Sequence, residues 1–246
     1  MSDEKVVVIT GAGSGLGREL SAVFANAPGM RVIGLGRDTE KLEATAKAID
    51  GSQFSYKLLD VSDADAISRV VEEILREHQH IDILFNNAAV YQKVSFLEET
   101  PQDWANSVAT NLSGIANMCK AVLPGMIDRN FGRIYNVGSW AHLGPIEDSA
   151  AYSTTKGGVH VLTKAIARDI ARLGKNVQVH EWIPGHMKTQ MSGFTGIDPA
   201  LAAQWGLEVA TRLQASANGC IFENNREWQP PKSFARKVKD KLLFRG

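Results

Sequence analysis

The sequence is short of the features that mark special environments. Only two of its 246 residues are cysteine, Cys119 and Cys220. Two are too few for a disulfide framework, and they show no metal-ligand spacing. Reduced thiols in a cytoplasmic chain without a resident metal are the expectation. No apolar run approaches the roughly 18 residues that a membrane span requires. Nor does the start read as a secretory leader, because Asp3-Glu4 leads straight into the short run Val6-Val7-Val8-Ile9. Excess charge is lacking too, with 27 Lys plus Arg against 27 Asp plus Glu. Nothing electrostatic therefore points to nucleic acid or an anionic membrane as partner.

What is there is an ordinary globular balance, 44% hydrophobic and 22% charged, which argues against disorder. Short β-branched runs alternate with longer amphipathic stretches. Strands are expected at 5–9, 31–35, 53–59, 81–85, 132–137 and 177–183, and helices near 15–27, 38–49, 63–78, 101–127 and 149–173. In the last of these Val159, Leu162, Ile166 and Ile170 recur at helical spacing. Pro101 with Thr100 before it has the form of a helix start. Strict alternation with fully apolar strands implies an α/β fold, a doubly wound parallel sheet covered by helices on both faces. No linker or repeat interrupts it, so 1–246 reads as one domain.

Past about residue 190 the pattern loosens. Residues 191–206 mix Gly, Thr, Pro and Trp and read as a mobile loop with a short helix, placed to cover a substrate. Residues 219–222 read as a brief last strand. The tail, 228–246, spaces Phe234, Val238, Leu242 and Leu243 among lysines and arginines. It is expected to dock on the domain or on a partner subunit, with a membrane-touching segment as the alternative.

The first strand runs directly into Thr10-Gly11-Ala12-Gly13-Ser14-Gly15-Leu16-Gly17 and then a helix. Glycines let backbone turn tightly against a pyrophosphate, and a helix N-terminus offers unpaired N–H groups to it. The spacing is T-G-x-x-x-G-x-G rather than G-x-G-x-x-G. The second strand ends at Leu35-Gly36, followed by Arg37. A carboxylate there would accept from a ribose 2′-OH, whereas a guanidinium matches a 2′-phosphate. NADP is therefore favoured. Asp38 reads as a helix cap, although a one-residue shift would bring it to the ribose, and NAD stays possible. Asp60 after the third strand is an acceptor for an adenine amino group or simply a neighbour of a helix start. Further on, Tyr152 and Lys156 share one helix face. Ser139 ends the fifth strand, where ligands of such sheets bind. Asn111 lies within the long helical stretch before it.

In this order and spacing, Thr10–Gly17, Asp60-Val61, Asn86-Asn87-Ala88-Ala89, Asn111, Ser139, Tyr152-Ser153-Thr154-Thr155-Lys156 and Pro184-Gly185-His186-Met187-Lys188-Thr189 resemble the classical short-chain dehydrogenase/reductase family. The resemblance runs from Lys5 to about Thr189. It implies a Rossmann-type fold, hydride transfer between a nicotinamide and a carbonyl or secondary alcohol carbon, and a homodimer or homotetramer. It implies Tyr152 as acid/base, Lys156 on the nicotinamide ribose and Ser139 on the substrate oxygen. Asn111 would fix a water linking Lys156 to solvent. Thr10, Gly11, Ser14, Gly15, Leu16, Gly17, Arg37, Asp60, Val61, Asn87, Ala88 and Ala89 would bind the cofactor. Pro184, Gly185, Met187 and Thr189 would lie against its carboxamide. Free tyrosine has a pKa near ~10, poorly matched to neutral pH, so the charges of Lys156 and the nicotinamide ring would have to favour phenolate.

Three departures stand out. Ala89 occupies a position where glycine is usual, Gly138-Ser139 replaces a serine pair, and Gly219–Asn225 lacks a paired-glycine ending. Tyr91, Trp140, His142 and His186, with Ser139, are the candidate substrate contacts; Trp140 and Leu143 suit an apolar or aromatic small-molecule carbonyl. Alternatives to a reductase are a cofactor-binding sensor or scaffold, and a dehydratase or epimerase using the nicotinamide transiently.

Overall fold

Apolar runs become the interior of a sheet when each face of every strand has something to pack against. The computed structural model describes residues 4–49, 51–211, 215 and 217–229. Its strands are β1 (Lys5–Thr10), β2 (Met30–Gly36), β3 (Phe54–Leu58), β4 (Ile83–Asn86), β5 (Gly132–Val137), β6 (Val177–Ile183), β7 (Ile221–Glu223) and β8 (Arg226–Glu227). They form one sheet in the order β3-β2-β1-β4-β5-β6-β7-β8, parallel except for the final β7–β8 hairpin. Register is set at the centre, where Val7 lies between Val32 of β2 and Ile83 of β4.

Among the described residues the sheet is covered by α1 (Gly15–Ala25), α2 (Thr39–Ala48), α3 (Ala64–His78), α4 (Pro101–Val108), α5 (Gly114–Asp128), α6 (Ala150–Ala171) and α7 (Pro199–Thr211). Because side chains alternate along a strand, β1 sends Val6 and Val8 to one face and Val7 and Ile9 to the other. The first face packs on Ile74 of α3, Met118 and Val122 of α5 and Val159 of α6. The second packs on Leu16, Leu20 and Phe24 of α1 and on Ala202, Ala203 and Val209 of α7. Phe85 anchors this side, 5.0 Å from the Tyr135 ring and 5.7 Å from Trp182.

Helix starts follow local chemistry. Asp38 accepts from the Lys41 N–H and Asp63 from the Ala66 N–H. Thr100 and Asp103 form a reciprocal capping box ahead of Pro101.

The doubly wound parallel sheet matches expectation. Two details differ. The expected helix over 101–127 is α4 and α5 joined by a π-helical turn, Ala109–Ser113, which carries Asn111. The helix expected within 191–206 is α7, which begins at Pro199 and runs on to Thr211, past the expected end. Ala202, Ala203, Gly206 and Val209 are buried there, and Gly206 lies against Leu20 and Trp182. Small residues on the packed side let α7 sit close to α1. Of the basic tail at 228–246, only Trp228 and Gln229 fall within the described residues. Among the described residues no helix is long and apolar enough to cross a membrane. None of them forms a His/Cys/Asp/Glu group suited to a metal ion.

The strand order reverses between β1 and β4. Crevices of this kind, at the carboxyl ends of parallel strands, are where such sheets bind ligands.

Candidate active site

The turn leaving β1 is tied to the chain leaving β4. Thr10 Oγ1 accepts the N–H groups of Asn87 and Ala88, each at 3.0 Å, and Asn87 Nδ2 donates to the Thr10 carbonyl at 2.9 Å. Gly11 has φ +71°, and a β-carbon on it would meet Ala88 Cα at 3.0 Å. A β-carbon on Gly17 would run into the Gly11 carbonyl oxygen. The loop thus folds directly over the start of α1. Gly15, at φ +51°, faces Thr189 from the loop after β6. Arg18 stiffens the outer wall by donating to the Gly13 carbonyl at 2.9 Å and to Thr45 Oγ1 at 3.2 Å.

The first turn of α1, Gly15-Leu16-Gly17-Arg18, carries no carboxylate. Among the described residues no side-chain bond from Ser14 caps it. Its N–H groups and positive dipole end are therefore available to an anion. The turn thus combines closely packed backbone with an uncapped helix start.

At the end of β2, Arg37 is exposed, and its guanidinium lies 3.9 Å from the Asp60 carboxylate. Asp38 is committed elsewhere, capping α2 and pairing with Lys41 Nζ at 2.9 Å. Hydrogen bonds from the Ser62 N–H and hydroxyl hold the Asp60 carboxyl below its usual range, with Arg37 adding to them. Val61 is buried against Gly114.

The titratable set gathers at the ends of β5 and α6. Lys156 is 2% exposed, and its Nζ donates to the Val137 carbonyl at 2.7 Å. The same nitrogen is 5.7 Å from the centre of the Tyr152 ring. Tyr91 covers Tyr152, with ring centres 4.7 Å apart. Asn111 Oδ1 accepts the Val90 N–H at 2.8 Å, while its Nδ2 donates to the Val90 carbonyl at 2.9 Å and to Thr155 Oγ1 at 3.2 Å. The π turn thereby ties the loop after β4 to α6, one residue before Lys156.

Burial pushes the Tyr152 hydroxyl above its ordinary value, opposed by a hydrogen bond with Ser139, while Tyr91 adds to the rise. The expected pull toward phenolate therefore works against this desolvation. Burial also pushes Lys156 down to about 8, with the charge of Glu181 opposing. Unfolded lysine titrates near ~10.4, so the folded state binds fewer protons between the two values. The cost of burying the ammonium is full below pH 8 and disappears as pH rises toward the unfolded value. Lys156→Met should accordingly stabilise the cofactor-free protein by about 2 kcal/mol near neutrality, after allowing for the lost Val137 bond. Thermal melts from pH 7 to 10 would show that gain shrinking with pH; a constant or growing gain contradicts it.

The other candidate contacts are dispersed. Tyr91 joins Tyr152, but Trp140 Nε1 donates to Glu223 Oε1 at 2.7 Å and its ring packs 5.0 Å from Trp228. His142 Nδ1 lies 2.8 Å from the Ser139 carbonyl, and its ring stacks on His160 at 4.8 Å. Trp140 and His142 also line a cavity of about 510 Å³ beside β7 and β8. His186 is exposed, with Nε2 2.8 Å from Thr195 Oγ1. Beyond Pro184, Gly185 has φ +94° and turns the chain back, and Met187 packs into the α1–α7 side. Sequence reasoning overlooked Glu181 and His160. An acidic residue at a position of β6 that the sheet buries was the available signal.

Residues 5–198 match the family described as short chain dehydrogenase. A 3-oxoacyl-[acyl-carrier-protein] reductase of Thermotoga maritima is 33% identical over 190 residues, 76% of this chain and 76% of the relative. Among solved structures, a metagenomic short-chain oxidoreductase in complex with NADP has a TM-score of 0.79 at 28% identity, covering 90% of this chain and 99% of that one. An actinorhodin polyketide ketoreductase variant with NADPH has a TM-score of 0.83 at 25% identity, with coverage of 91% and 96%.

Proposed function

The chain belongs to the short-chain dehydrogenases, NAD(P)-dependent oxidoreductases that interconvert CH–OH and C=O, and from that premise we propose that it uses NADP(H) with Tyr152 as acid/base. The observation that supports this reading is the grouping of Lys156 and Tyr152 at the end of β5, with Ser139 acting on the Tyr152 hydroxyl and Asn111 bonded to Thr155 next to Lys156. The substrate is a small carbonyl compound or secondary alcohol.

A bound nicotinamide supplies or accepts the hydride. Ser139 hydrogen-bonds the substrate oxygen and holds it toward Tyr152. In reduction Tyr152 gives its hydroxyl proton to that oxygen as negative charge develops there. Lys156 steadies the resulting phenolate by its charge and holds the nicotinamide ribose. Asn111 acts through position, since its amide bonds to Val90 and Thr155 keep Lys156 in place. In alcohol oxidation the same tyrosine takes the proton. Thr10, Asn87, Ala88 and Ala89 frame the cradle, and Pro184 to Thr189 close its far side. A homodimer or homotetramer and a cytoplasmic location belong to the same proposal.

Support for NADP over NAD lies in Arg37, which is exposed past β2 while Asp38 is occupied by its cap and Lys41. Arg37→Ala should weaken NADPH binding about 10- to 100-fold, the loss of a charge-assisted contact, and leave NADH binding unchanged. Fluorescence titration with both cofactors tests it, followed by a carbonyl panel read at the cofactor's absorbance. Tighter binding of NADH by the unmodified protein would overturn the NADP assignment. NADPH binding without oxidation by any ketone or aldehyde on a broad panel would overturn the reductase reading.

A further inference from the structure

Behind Lys156 lies a carboxylate that the chemistry above leaves unused. Glu181 is 1% exposed on β6, among buried Val177, Val179, Trp182 and Ile183. A charge so placed is costly unless partnered. Glu181 Oε2 lies 2.6 Å from His160 Nδ1 on α6. The other oxygen, Oε1, has no hydrogen-bond partner among the described residues. It lies so close to Gly138 that a β-carbon there would run into it. Gly138 directly follows Val137, whose carbonyl accepts from Lys156 Nζ. Glu181 and Lys156 thus meet consecutive residues at the end of β5.

The protonation of His160 follows from its second contact. Its Nε2 is 2.8 Å from Lys164 Nζ, and an ammonium can only donate. Nε2 therefore accepts, Nδ1 carries the proton, and that proton is donated to Glu181. In this tautomer the imidazole is neutral, and Glu181 Oε2 accepts the Nδ1 proton. His142 stacks on the outer side of His160. From β5, Asn136 lies in register with Glu181, but its amide is used by Thr163 and Asn86 and carries no charge. β7 presents Ile221 opposite Glu181. Around Lys156 itself stand Tyr152 on its own helix, covered by Tyr91, and Thr155, held by Asn111.

We propose that Glu181 is the counter-charge of Lys156, and that neutral His160, braced by Lys164, fixes the carboxylate in place as a positioning pair. The pair keeps the lysine ammonium charged beneath Tyr152. Its consequence for turnover rests on the role of Lys156 in the reaction proposed above, whereas the electrostatic coupling does not. The Gly138-Ser139 departure gains a physical reason, because glycine leaves the space that the carboxylate fills.

The test is carbon NMR titration of the cofactor-free protein labelled at lysine Cε, with the Lys156 signal assigned by its loss in Lys156→Met. Glu181→Gln should lower the Lys156 midpoint by about one pH unit or more, a tenfold loss of proton affinity. His160→Gln, which retains a donor to Glu181, should leave it close to wild type. The double variant Glu181→Met, His160→Leu guards against misfolding, since replacing a buried polar pair by apolar groups of similar volume is often tolerated. It should show the same fall as Glu181→Gln. An unmoved midpoint in either folded Glu181 variant, with a cooperative melt retained, overturns the proposal. A lowered midpoint with an unmoved pH–rate profile would support the counter-charge and remove Lys156 from the reaction.

Discussion

Tyr152→Phe should lower turnover about 10³-fold or more while NADPH binds within about twofold of the unmodified protein. Phenylalanine keeps the ring that packs 4.7 Å from Tyr91. The cradle around Gly11, Gly15 and Gly17 is separate from the hydroxyl. What disappears is the proton donor to a developing alkoxide. An interaction made chiefly in the transition state affects kcat and kcat/KM together and leaves ground-state binding alone. Steady-state rates with any turned-over carbonyl, beside a cofactor titration, measure both quantities. Retained turnover would remove Tyr152 as the acid/base.

Gly17→Val should abolish measurable cofactor binding, a loss of about 100-fold or more, and destabilise the fold by about 3 kcal/mol. A β-carbon at this position meets the Gly11 carbonyl and lies 2.7 Å from Asn87 Nδ2. The obstacle is backbone, so no rotamer change relieves it. Gly11 cannot retreat either, because its neighbour Thr10 is held by Asn87 and Ala88. The start of α1 must then tilt away, moving its N–H groups out of reach of a pyrophosphate. Thermal melting and NADPH titration test the two effects separately. A stable variant that binds NADPH normally would show that the cradle does not depend on this close approach.

Much of this arrangement is written in local patterns. The apolar strands, the glycine spacing after β1, the Thr100-Pro101 start and the Tyr152–Lys156 interval depend on residues a few positions apart. Where the sequence is silent, the partners are distant or the contrast is small. α7 packs through alanine and glycine, so its buried side hardly differs in polarity from a loop rich in small residues. Trp140 finds Glu223 across 83 residues of chain, and no local spacing announces that bond. Glu181 looks like one more polar residue of β6, beside Gln178 and His180, until α6 is laid over the strand and His160 meets it. Gly138 looks like the loss of a serine until the carboxylate against it is visible.

The reversal of strand order also sets a timetable for the growing chain. β1 pairs with β2 soon after both emerge, but its other edge waits for Ile83 of β4, about 75 residues beyond Val7. At about 5–20 residues per second, that edge stays open for roughly 4–15 s during synthesis. Val6, Val7, Val8 and Ile9 form an uncharged β-branched run, the kind of segment that recruits a neighbouring strand when its edge is bare. The strand at the heart of the finished crevice is thus the one most vulnerable to aggregation while the ribosome is still at work.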